Sequence, residues 1–341
     1  MTPAMGRRAA LGLLLCLGAC APSVQVAPEP PVSLVWPAAP EQPRIAFVRT
    51  FSQAEDLGIR KGFLQRVVEF IVGETETRMV RPTAVVAVKG GVYVADPGAR
   101  GVHRFDTADG EYRLIRAEGD VALPSPIGMA RGAADEVYVT DSALGAVFVI
   151  RPGAKEAVRL PHAGLKRPTG IAFDAATGRL YVVDTAAHRV VVFDRDAREI
   201  AGFGQQGSGD GEFNFPTLIA RDPAGRLLVT DTLNFRIQVF DERGGFVSKF
   251  GRHGDGTGDA NRQKGVATDR YGHVYVVDAM FHAFQIYDPD GAFLLAVGEI
   301  GQGAGEFWLP TGIFVGDDDA IYVADSYNQR VQVFRYVGGA T

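Results

Sequence analysis

Residues 168–203, PTGIAFDAATGRLYVVDTAAHRVVVFDRDAREIAGF, decide how this chain folds. Pro168 to Asp174 reads as one strand, Ala176 to Gly178 as a turn, Leu180 to Asp184 as a second strand, Arg189 to Asp194 as a third and Glu199 to Phe203 as a fourth. The same order of pieces recurs along the chain. The tetrapeptides YVAD, YVTD, YVVD, LVTD, YVVD and YVAD end at Asp96, Asp141, Asp184, Asp231, Asp278 and Asp325, at spacings of 45, 43, 47, 47 and 47 residues. Composition points the same way. The chain of 341 residues holds 42 glycines and 19 prolines with no collagen-like triplet, so tight turns abound and long helices cannot dominate.

A period of about 40 to 50 residues made of short β-rich runs marks a propeller blade, a unit that buries its apolar faces only against its neighbours. Six such units predict an all-β, six-bladed β-propeller of four-stranded antiparallel blades. The recurring motifs, for example Pro310-Thr-Gly312-Ile313, Tyr322-Val-Ala-Asp325 and Arg330-Val-Gln-Val-Phe334, resemble the NHL-repeat family over residues 45–337. The resemblance implies the same propeller fold. The last unit stops after its third strand at Tyr336, while Arg44 to Phe51 matches fourth strands such as Gly245 to Phe250. The strand at 45–51 is therefore expected to close the ring on the last unit and remove an exposed edge. Residues 52–80 form an insertion before blade one. Within it, Phe63, Leu64, Val67, Val68, Phe70 and Ile71 predict a short amphipathic helix over 61–73.

At the amino terminus, Arg7 and Arg8 precede an apolar run from Ala9 to Leu17 that is too short to span a bilayer. Leu17-Gly-Ala-Cys20 resembles the lipobox of bacterial lipoproteins. That resemblance implies removal of the signal peptide 1–19 and lipidation of Cys20, with each buried acyl CH₂ contributing about 0.8 kcal/mol to membrane binding. Cys16, the other cysteine, lies in the removed segment, so the body has no disulfide. Loss of Arg7 and Arg8 takes the formal charge from −5 to −7, which disfavours nucleic acid. Residues 20–44, rich in Pro and Ala, read as a tether. Ala21 after the cysteine favours the outer membrane over the inner.

The six repeated aspartates are equivalent, and chemistry needs one special position, so they read as structural acceptors for the loops that follow them. Arg189, Arg236 and Arg330 share a position and suit carboxylate pairing. Gln238, Gln285 and Gln332 share another and read as hydrogen-bonding groups between blades. The glycine-rich runs at 204–213 and 298–307 lack the Gly-Lys-Ser/Thr ending of a phosphate loop. They read as turns that tuck Phe213 and Phe307 between blades. The loops after the aspartates lie on one face, which carries the ligand-binding candidates His188, Arg189, Asn234, Phe235, Arg236, Phe281, His282, Tyr327, Asn328 and Arg330.

Enzyme chemistry has thin support in the sequence. The peptidyl-hydroxyglycine amidating lyase resembles this chain in blade pattern but holds zinc through several histidines, whereas the inner strands here carry none, and His162, His188, His253 and His282 belong to separate blades. Asp255 to Asp259 and Asp317 to Asp319 lack a complete calcium-loop pattern, and no Gly-x-Ser-x-Gly elbow occurs. The expectation is a lipid-anchored, monomeric, non-catalytic binding or scaffold module of the cell envelope. Its loop face would take a protein, peptide or polysaccharide, with no cofactor, metal or nucleic acid. The alternative is a metal-dependent lyase or lactonase using the same face.

Overall fold

The computed structural model describes residues 34–42, 44–59, 77–161, 164–256 and 258–338. Cys20, the predicted helix at 61–73 and His162 lie outside them. The structure is all-β, and the helical elements described are single 3₁₀ turns. In the third repeat, Pro168–Asp174, Arg179–Asp184, Arg189–Phe193 and Glu199–Phe203 form an antiparallel meander. The fourth and fifth repeats form the same four-stranded sheet.

Among the described residues there are five sheets, one of them eight-stranded. It joins the meanders of the first and second repeats through a parallel pairing of Glu156–Ala157 with Arg116–Ala117, while Val158–Arg159 pair with their own third strand. The short strand Glu156–Arg159 thus divides its backbone groups between two partners, and each half finds hydrogen bonds.

The sheet of the sixth repeat contains both ends of the described chain. Ile45–Phe51 pairs antiparallel with Arg330–Tyr336, from Ile45 opposite Tyr336 to Phe51 opposite Val331. Val35–Trp36 adds a further strand on Ile45–Ala46. The stretch 20–44, read as a tether, therefore enters the sheet before it ends. The reason is apolar: the Trp36 ring packs edge-on against Phe334 at 5.7 Å and finds there a surface it would lack in solvent.

The second and third strands carry the core, as in Val182, Val183, Val190 and Val191, all fully buried. The first strand of each repeat lies innermost. Ala84–Val88, Pro126–Arg131, Pro168–Asp174, Pro216–Arg221, Gln263–Thr268 and Ile313–Val315 contact one another in succession, and the last returns to the first. Such close approach explains the glycine of the Pro-Thr-Gly motif. A Cβ on Gly170 would stand 2.6 Å from Leu218 Cα, and one on Gly312 would stand 2.4 Å from the Thr83 carbonyl oxygen. These glycines serve packing between repeats, not turns.

Hydroxyls sew the repeats together. Ser142, Thr185, Thr232 and Ser326, each directly after its repeat's aspartate, donate to the carbonyls of Pro168, Pro216, Gln263 and Pro82 at the start of the next repeat's inner strand. Thr83, Thr169 and Thr311 on the inner strands donate to Pro126, Thr217 and Thr83 in the same way.

Candidate functional site

The six aspartates end the second strands and are buried to 2% exposure or less. Each accepts backbone N–H groups from the segment entering its own repeat: Asp184 from Lys166 and Arg167, Asp278 from Asn261 and Arg262, Asp325 from Trp308. Asp141 and Asp278 also cap the turn that follows them. Burial by itself would raise the Asp96 carboxyl. The His103 ring and the N–H groups of Val80 and Ala99 outweigh that and hold it below the ordinary aspartate value. Asp96, Asp141 and Asp278 thus join their repeats' two loops on one face, and Asp231 and Asp325 do so through Asn234 and Asn328.

Most of the ligand-binding candidates are used in that framework. Arg236 pairs with Asp231 at 2.8 Å and donates to the carbonyls of Gly209 and Glu212. Asn234 donates to Gly207 and Asp231. Arg330 and Asn328 repeat this around Asp325, holding Gly301, Gln302, Gly303 and Glu306. Arg189 differs: among the described residues its partner is Glu199, at the surface. His188 and His282 each accept through Nδ1 from the chain entering the next repeat, at Phe215 and Leu309. Phe235 packs on His253 with ring centroids 4.3 Å apart. Phe281 is half-buried, and Tyr327 is exposed.

Gln238 and Gln332 do not bond across repeats as expected. Their amides clamp Gly211 and Glu212, and Gly305 and Glu306, in the loops entering their own repeats. Gln285 likewise holds the Asp259 carbonyl. The glutamine side chain is long enough to reach the glycine-rich loop above it, whereas contacts between repeats fall to the shorter hydroxyls at the inner strands.

What remains exposed on this face is lopsided. The second residue after each aspartate is Gly98, Ala143, Ala186, Leu233, Met280 or Tyr327, so at this position large apolar side chains stand on the fourth to sixth repeats, while Val80 and Leu144 are exposed beside Asp96 and Asp141. Leu233, Met280 and Tyr327 are 44%, 46% and 51% exposed. Phe215 and Trp308, in the loops entering the fourth and sixth repeats, join them, with Trp308 against the Tyr327 ring at 5.8 Å. Sequence reasoning missed Met280, Phe215 and Trp308. Aligning the repeats on their aspartates, position by position, is the signal that finds them.

A second break in the repeat lies at the axis. Thr83, Ile127, Thr169, Thr217 and Thr311 occupy one inner-strand position, and the fifth repeat has Lys264 there. Burial lowers the Lys264 ammonium below the ordinary lysine value, and the charges of Arg262 and Arg167 push it further down. Arg262 and Arg167 immediately precede the inner strands of the fifth and third repeats and are exposed. None of the three side chains has a hydrogen bond or ion pair among the described residues.

A cavity of about 800 Å³ lies toward the opposite face, lined in part by Arg44, Tyr271, His273, Leu295 and Tyr336. Of its lining groups, His273 bonds Asp269, a carboxylate that the Tyr275 hydroxyl also holds. Among the described residues, no three His, Cys, Asp or Glu side chains gather in a way that would hold a metal ion.

The NHL repeat family model matches residues 165–193, 213–240 and 307–334. No curated protein matches the chain in sequence. Among solved structures, virginiamycin B lyase from Staphylococcus aureus is similar at TM-score 0.55 and 14% identity, covering 76% of this chain and 96% of that one. A gluconolactonase from Xanthomonas campestris is similar at TM-score 0.57 and 15% identity, with 76% and 86% covered. An auxiliary nutrient-binding protein from Bacteroides thetaiotaomicron is similar at TM-score 0.58 and 14% identity, with 76% and 69% covered. At such identities the likeness is one of fold. The chain thus carries NHL repeats at three of its repeat units, set in sheets whose inner strands contact one another in a closed succession.

Proposed function

We propose that this protein is a non-catalytic binding or scaffold module whose loop face engages a protein, peptide or polysaccharide. The eight-stranded sheet counts as two blades, which makes the propeller six-bladed. The observation that carries the reading is the arc of Leu233, Met280 and Tyr327, where the repeat elsewhere keeps Gly or Ala. Large apolar side chains left in water at one equivalent position of three successive repeats are the mark of a contact surface. One structural neighbour is a nutrient-binding protein, consistent with such a role. The enzymatic alternative has less behind it, because the like charges of Lys264, Arg262 and Arg167 at the axis oppose a divalent cation there.

Anchoring through Cys20 in the bacterial envelope, with the outer membrane favoured, is part of the same proposal and rests on Leu17-Gly-Ala-Cys20. The test is capture from crosslinked envelopes by the wild type and by the L233S/M280S/Y327S variant. Specific species retained by the wild type and lost from a normally melting variant support the reading. Identical capture by both removes it. For the anchor, Cys20→Ala should release the protein from membranes, and continued membrane association would refute lipidation.

A further inference from the structure

We propose that the axial mouth of the loop face, formed by Lys264, Arg262 and Arg167, is a binding site for the carboxylate or phosphate group of a small anionic ligand. The proposal deepens the loop-face reading and rests on it.

Two observations carry it. The first is a comparison of the two ends of the inner strands. At the far end, three arginines that end or follow inner strands each meet a carboxylate of another repeat: Arg131 meets Asp317 at 2.7 Å, Arg221 meets Asp174 at 3.4 Å, and Arg270 meets Asp319 at 2.6 Å. At the loop-face end, Arg262 and Arg167 come from two different repeats and both act on the Lys264 charge, and none of the three has a carboxylate partner among the described residues. In a chain of net charge −5, with 40 acidic residues available, a cluster of like charges left unneutralised near the axis is a cost to folding.

The second is the cost of placing the lysine. At the same position, Thr83, Thr169 and Thr311 donate a hydroxyl to the next repeat. The fifth repeat lacks both stitches, having Lys264 in place of that threonine and Ala279 in place of the Ser or Thr after the aspartate. What joins that seam on this face is the Gly265 N–H to Thr311 carbonyl bond at 2.8 Å and the Leu309 N–H to His282 Nδ1 bond at 3.2 Å, neither of them a hydroxyl stitch. Structure alone would favour threonine. A partly desolvated ammonium with two guanidinium groups beside it offers charge-assisted donors to an anion and nothing to a cation. Phe215 and Leu309, at the positions equivalent to Arg167 and Arg262 in the fourth and sixth repeats, give the same rim an apolar side. An anion with an apolar body therefore fits the rim.

The test uses Lys264→Thr, which restores the residue found in four other repeats and is expected to melt at or above the wild-type temperature. Binding of citrate and of inorganic phosphate to the full chain is measured by calorimetry at constant ionic strength. The expected result is that at least one of them binds and that Lys264→Thr weakens it about tenfold or more, the loss of one charge-assisted contact. Citrate alone assigns a carboxylate and phosphate alone a phosphate. Failure of both to bind, or unchanged binding in Lys264→Thr, overturns the proposal. A 12-nucleotide single-stranded RNA that binds tighter than phosphate with the same Lys264 dependence overturns it in favour of a polymer. If the anions fail while capture dependent on Leu233, Met280 and Tyr327 persists, the anion site falls and the loop-face reading stands.

Discussion

Arg236 and Arg189 occupy the same position of the repeat, and the structure predicts opposite consequences for their removal. Arg236 is 7% exposed, and its guanidinium bonds the fully buried Asp231 together with the carbonyls of Gly209 and Glu212. Arg236→Ala leaves a buried carboxylate short of its cation and two carbonyls short of donors, and breaking a buried pair in this way costs about 3–5 kcal/mol. At roughly 2 °C per kcal/mol for a domain of this size, the melting temperature should fall by about 6–10 °C. Arg189 meets Glu199 at 3.2 Å with both side chains about 40% exposed. Arg189→Ala should then cost about 0–1 kcal/mol and about 2 °C at most. Differential scanning calorimetry at neutral pH measures both. Melts of the two variants within 1 °C of each other would refute the assignment of Arg236 to the framework and return it to the exposed ligand candidates.

Gly170→Ala should destabilise by about 2 kcal/mol or more, because its Cβ would meet backbone atoms of Leu218 and Thr217 at 2.6 and 2.7 Å. Gly164→Ala, with nothing within 4 Å of the new carbon, is the matched control, and equal melts would contradict the packing argument. Deletion of residues 21–51 removes the strand paired to Arg330–Tyr336 and should lower the melting temperature strongly; an unchanged melt would sink the account of ring closure. The bond to Asp269 raises His273 above its ordinary pKa. Its stabilisation is thus complete below about pH 6.5 and is lost as pH rises through the raised value. Stability between pH 6 and 8 should fall less steeply in His273→Gln, and parallel curves would exclude the contribution.

The repeat, its period and the closing strand were readable from residue order alone, because each rests on local facts. Alternating apolar residues, turn residues and a fixed interval recur in phase, and Ile45 to Phe51 looks like the fourth strand missing after Tyr336. The roles of the polar side chains were not readable in that way. Arg236, Asn234 and Gln238 look like surface groups near a ligand, and only the fold brings the loop 204–213 down onto them. Trp36 lies in a Pro- and Ala-rich stretch with no period, and its partner, Phe334, is close only once the ring has closed. The glycines showed the same division. Their number announced many turns, but Gly170 and Gly312 are required by backbones from neighbouring repeats that approach within van der Waals range. Sequence determined the repeating unit, since strand and turn preferences act over a few residues. Tertiary structure decided which cations are neutralised and which are not, since Arg262 and Arg167 act on Lys264 only when separate repeats meet around one centre.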